Sequence, residues 1–131
     1  MRPNTLAEAV ERIRAGESQD VALAEFVDSF LSADATAQYR SIEQEPELTN
    51  DLHLDALAGA IAEYLAKQHQ LGRVPKWAYG ASRRLDEPWF TTSSSEPAMR
   101  EYLAFASPAE FRSRNIFTEE RPLRRARAKV D

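Results

Sequence analysis

A chain of 131 residues with 43% apolar and 29% charged side chains can bury one core and is too apolar to be disordered. The absence of cysteine excludes disulfides and thiolate chemistry, and no apolar run reaches the roughly 18 residues of a membrane span. The net charge of −4 is uneven: residues 112–131 hold seven Lys/Arg against three Asp/Glu, so residues 1–111 carry −8, which makes the body a poor general ligand for phosphate backbones.

Met1-Arg2-Pro3-Asn4 runs directly into polar, amphipathic sequence with no apolar leader, and a cytoplasmic location is expected. Leu6, Ala9, Val10 and Ile13 follow the i, i+3, i+4, i+7 spacing, which predicts a helix over 5–15. Thr5 and Glu8 form a capping-box pattern at its start, and Gly16 supplies the stop. A second helix begins near Ser18 or Asp20. Its wide apolar face (Val21, Leu23, Ala24, Phe26, Val27, Phe30, Leu31) predicts extensive burial. Residues 34–44 read as a more polar helix with Tyr39 and Ile42 inward, and Pro46 breaks the chain.

The strongest helix spans about 51–70, capped by Thr49 or Asn50, with Asp51 complementing the positive end of the dipole. Leu54, Leu57, Ala58, Ile61 and Leu65 make its stripe, and Gly72 is the expected C′ residue. Ala58, Ala62 and Ala66 form a ridge beside Gly59 on which another helix can come close. Residues 73–94 predict an ordered irregular connection with a short helix near 81–86. Met99, Tyr102, Leu103 and Ala106 return to helical spacing, and Ser107-Pro108-Ala109-Glu110 reads as cap, Pro at N1 and acid at N3. Thr118-Glu119-Glu120 caps a last basic segment, with 119–131 as a flexible tail. No strand pattern outlasts three residues. The expectation is an all-α fold: a single domain over 1–131, an irregular bundle of five to seven helices around 51–70.

Reactive constellations are absent. Asp51-x-His53-x-Asp55 looks metal-like, but residues two apart on a helix point away from one another, and His69 is far from a helical pairing distance. Ser93 to Ser95 have no activating neighbour in sequence, and the four glycines are isolated at 16, 59, 72 and 80, so no phosphate loop is present. No catalytic residue, metal or cofactor is expected, and the chain reads as a non-enzyme.

Eight of the twelve aromatics lie between Trp77 and Phe117. Trp77, Tyr79, Trp89 and Phe90 beside Arg83, Arg84, Arg112 and Arg114 could form a partner-binding surface that docks peptide or stacks bases. In the competing reading Trp89, Phe90, Phe105 and Phe111 plug the open end of the bundle. Trp77 and Tyr79, in the most polar surroundings, are expected to be the most exposed. Arg112-x-Arg114 and the run from Arg121 to Lys129 could bind anions or complement helix C-termini.

Pro75-Lys76-Trp77, Leu85-x-x-Pro88-Trp89-Phe90 and Ser107-Pro108-Ala109-Glu110-Phe111-Arg112-x-Arg114-Asn115-Ile116-Phe117 together resemble a group of small bacterial proteins. Their shared part ends in a PWF…SPxxFRxRN[I/V/L]F pattern, and the likeness covers about residues 20–126. That group is associated with nucleotidyltransferase-like toxins, so the resemblance implies an antitoxin-like role. It supplies no catalytic residues. The helix-turn-helix domain found in some of its members has no counterpart in residues 1–45, which hold few cations. The expected partner is therefore a protein, with nucleic acid as the alternative and no membrane.

Overall fold

The computed structural model describes residues 2–92 and 94–123. Six α-helices dominate them: α1 (Leu6–Arg14), α2 (Gln19–Leu31), α3 (Ala35–Glu43), α4 (Leu52–Gln68), α5 (Pro97–Ala106) and α6 (Ala109–Arg112). Two 3₁₀ turns, Lys76–Tyr79 and Ala81–Arg83, follow α4, and two-residue strands β1 (Trp89–Phe90) and β2 (Ile116–Phe117) pair in parallel. The fold is all-α, as the periodicity predicts. The strand pair falls below what alternation in sequence can signal.

The first three helices are set by their caps. Thr5 Oγ1 accepts from Glu8 N at 3.0 Å, and Glu8 reaches back to Asn4 N at 3.0 Å. Gly16 then takes φ +111°, with Glu17 N donating to Arg12 O and Gly16 N to Ile13 O, the pair of hydrogen bonds that closes a helix on a left-handed residue. Ser18 and Asp34 cap α2 and α3 through Val21 N and Ala37 N. Leu6, Val10, Phe26, Phe30 and Ile42 meet in the core. Asp28, buried on α2, is held by Arg2.

α4 is the axis, but both its ends differ from expectation. Asp51, rather than Thr49 or Asn50, is the cap: its Oδ1 accepts from His53 N at 3.0 Å and Leu54 N at 3.2 Å. Thr49 instead binds buried Asp55 through both its amide and its hydroxyl, each at 2.9 Å. At the far end Gln70, not Gly72, takes the left-handed C′ position with φ +52°, and Leu71 N bonds Ala66 O at 3.0 Å. Ala56, Ala58, Ala60, Ile61, Ala62, Leu65 and Ala66 are all buried, so α4 is enclosed on nearly every side.

Two further expectations change downstream. The helix placed near 81–86 is two separate 3₁₀ turns over 76–79 and 81–83. Ser107 does not cap α6. Its hydroxyl donates to Leu103 O and accepts from Thr118 N at 2.8 Å, tying the end of α5 to the residue after β2. Residues 118–123 are not helical. The remainder of the basic segment, 124–131, lies outside the described residues. No helix among them is long and apolar enough to cross a membrane.

Candidate interaction surface

The structure divides the eight aromatic and arginine residues singled out above among three environments. The first is the small-residue side of α4. At Gly59 the close neighbours are not those of another α-helix. The 3₁₀ turn of Lys76–Tyr79 and two arginines dock there, and Gly59 admits them: a Cβ at position 59 would stand 2.8 Å from Arg83 Cβ, 3.0 Å from Ala78 O and 3.2 Å from Arg114 Nε. Arg83 is 1% exposed and Arg114 3%. Arg83 donates to Asp55 O at 3.2 Å, Pro46 O at 2.6 Å and Glu45 at 3.0 Å. Arg114 donates to Glu63 at 2.6 Å, Ala78 O at 2.6 Å and Glu110 O at 2.7 Å. These two guanidinium groups are clamps between the irregular segments and α4.

Glu63 anchors the clamp. It receives Arg114, Lys67 Nζ at 2.7 Å and Tyr79 Oη at 3.0 Å. Burial alone would lift its pKa, but hydrogen bonds from Lys67, Arg114 and Tyr79 outweigh that and hold the carboxyl below its usual range. The same contacts raise Tyr79, through burial of its hydroxyl and then the bond to Glu63, and raise Lys67, chiefly through its bond to Glu63. The aromatic–arginine interleaving of the sequence is thus spent inside the fold. Arg83 lies over the Trp77 ring at 5.0 Å and Arg114 over Tyr79 at 5.8 Å. Trp77 Nε1 donates to Ile42 O at 3.1 Å and is partly buried, whereas Tyr79 keeps 55% of its surface exposed.

The second environment surrounds the strand pair. Asn115, in the left-handed region at φ +65°, turns the chain into β2, and its Nδ2 binds Leu85 O at 2.8 Å. Trp89 N donates to Asn115 O at 2.8 Å and Thr91 N to Phe117 O at 3.0 Å, which fixes the register. Trp89 stacks on exposed His53, with ring centres 4.2 Å apart and planes at 14°. Phe90 stacks on Phe117 at 4.9 Å and lies under Arg100 at 4.8 Å. Trp89 and Phe90 are half-buried, and Phe111 is in the core. Phe105, expected to plug the bundle with them, is 80% exposed.

Beside Trp89 an open groove of about 1000 Å³ runs between α2 and α5. Val21, Leu23 and Val27 line one side, Met99, Tyr102 and Leu103 the other, and Leu57, Ile61 and Phe111 the floor. Sequence reading missed this surface. Its signal was Met99 and Tyr102 at helical spacing in a segment with little other apolar content to cover them. The third environment is solvent. The side chains of Arg84 and Arg112 are exposed and have no hydrogen-bond or ion-pair partner among the described residues. Also among those residues, no three His, Asp or Glu side chains gather as a metal-ligand set.

No family model, no curated protein and no solved structure matches the chain.

Proposed function

We propose that the chain is a non-enzymatic protein-interaction module, an antitoxin-like partner that binds and masks a bacterial effector in the cytoplasm. One observation carries this reading: Met99, Tyr102 and Phe105 of α5 and Val21 of α2 are 40, 53, 80 and 48% exposed. Scattered exposed apolar residues such as Phe105 are ordinary, but Val21, Met99 and Tyr102 line one groove, and apolar side chains gathered in this way mark an interface. The −8 carried by residues 1–111 suits a partner whose functional site is basic, such as a nucleic-acid or nucleotide site. The resemblance of the C-terminal pattern to antitoxin-like proteins supports a nucleotidyltransferase-like toxin as that partner. Masking is then steric and electrostatic: the acidic body covers the basic site, and the apolar face supplies the anchor. Co-expression with the product of the neighbouring gene is the test. The two proteins are expected to copurify, and toxicity of the effector is expected to be relieved. An effector that neither copurifies nor is neutralised overturns the reading.

A second reading has its own observation. The side chains of Arg84 and Arg112 stand free of partners among the described residues and could contact phosphate, making the chain a nucleic-acid-binding regulator. It requires affinity for DNA or RNA that falls steeply with salt and drops in R84E/R112E. A gel shift insensitive to both eliminates it.

A further inference from the structure

We propose that the groove between α2 and α5 receives an amphipathic α-helix whose apolar stripe is flanked by basic residues. The inference rests on the reading that the chain binds a protein effector, and it names the element of the effector that docks.

Shape argues for a helix. Residues of α2 and α5 line the slot from two helices and Leu57 and Ile61 add α4, while Trp89, Thr91, Pro122 and Leu123 are among the residues that line the rest of it. Its volume of about 1000 Å³ is on the order of two turns of α-helix taken as a cylinder about 10 Å across. The walls present Val21 and Leu23 opposite Met99 and Tyr102 over Leu57 and Ile61, which suits anchors at i, i+3, i+4 and i+7.

Charge argues for basic flanks. Asp20, Glu25 and Glu119 line the groove, and no Lys or Arg does so among the described residues. Asp20 and Glu25 form no ion pair among those residues. An apolar stripe bordered by Lys or Arg would bury Val21, Met99 and Tyr102 and neutralise these carboxylates. An acidic helix or a nucleic acid would meet like charge at the rim.

The probe is a synthetic amphipathic peptide of about 18 residues built from Leu and Lys, long enough to form a stable helix on binding. Its controls are a scrambled peptide of the same composition and a Leu/Glu peptide with the same stripe. Isothermal titration against the full chain is expected to show the Leu/Lys helix binding at least about tenfold tighter than either control. V21E/Y102E is expected to lose that binding by about tenfold or more, since both positions are exposed and the circular dichroism should be unchanged. D20K/E25K, which leaves the apolar walls intact, should reverse the preference toward the Leu/Glu peptide. Equal binding of the scrambled peptide, or unaltered binding by V21E/Y102E, overturns the proposal. Binding that emerges only when Arg124, Arg125, Arg127 and Lys129 are all changed to Glu would assign the groove to the chain's own C-terminal residues. A dimer in sedimentation that V21E/Y102E dissolves would assign it to a second copy, and either result also overturns the proposal. With the copurified effector, retention by V21E/Y102E sinks the groove while leaving the module reading intact. Absence of any effector sinks the module reading itself.

Discussion

α4 and α5 are both apolar helices, and the fold uses them in opposite ways. Eleven of the 17 residues of α4 are buried, including Asp55 and Glu63, because other elements close over it from almost every direction. α5 buries Leu103 alone among its ten residues and packs mainly on β2. The difference lies in what the chain brings to each helix. α4 carries Ala and Gly where neighbours must come close and a carboxylate, Glu63, where Arg114 and Tyr79 must be fixed. α5 carries Met99, Tyr102 and Phe105, large side chains that the described segments leave 40, 53 and 80% exposed. A helix whose buried carboxylates are satisfied within the chain serves stability. One whose apolar groups are left uncovered is available to a partner.

The sharpest way to break this contrast is to unpair the clamp. Arg114→Met leaves Glu63 with Lys67 and Tyr79 only and strands Ala78 O, and should cost about 3–5 kcal/mol in urea unfolding. A loss below about 1 kcal/mol would mean that the α4 clamp is dispensable. Gly59→Ala is the next largest. In an ordinary helix this change stabilises by up to about 1 kcal/mol. Here the new Cβ would fall 2.8 Å from Arg83 Cβ and 3.0 Å from a backbone carbonyl, so overpacking should win and leave a net loss of about 1–2 kcal/mol. A more stable G59A would show that the turn and arginines can retreat.

The clamp also predicts a pH signature. The folded pKa of Glu63 lies below its ordinary 4.5, so its contribution is complete above that value and is lost as pH falls through the lower folded pKa. Tyr79 is shifted the other way: its pKa rises above the ordinary 10.0, so its contribution is present below pH 10.0 and disappears as pH climbs through the folded value. Unfolding followed across pH should show both limbs, and Arg114→Met should shrink the acid one. An acid limb unchanged in that variant would remove Glu63 as its source. The smallest effect belongs to α5. Phe105→Ser, at an 80% exposed position, should change stability by no more than about 0.5 kcal/mol.

Much of the helical frame was legible because its causes are local. Thr5, Ser18 and Gly16 announce the ends of α1 and the start of α2, and the Leu54–Ile61–Leu65 stripe announces α4. The small-residue ridge around Gly59 correctly signalled a close approach, but the identity of the approaching group was beyond sequence. Arg83 and Arg114 can enter the interior only because Glu45, Glu63 and several carbonyls, 28 to 51 residues away, wait there. Nothing near either arginine in sequence distinguishes it from solvent-facing Arg84 and Arg112. Ser107 likewise carries the pattern of a helix cap, yet Thr118 claims its hydroxyl through a non-local contact. The groove was invisible for the same reason: it is the space left between helices that spacing alone cannot position.

On the proposed function, the uncovered faces of α2 and α5, rather than the arginines, hold the partner. Titration calorimetry of the purified effector against the wild type, V21E/Y102E and R84E/R112E compares the two surfaces directly. Loss of at least about tenfold in affinity with V21E/Y102E, and little change with R84E/R112E, is the predicted result. Full affinity in V21E/Y102E with loss in R84E/R112E would contradict it.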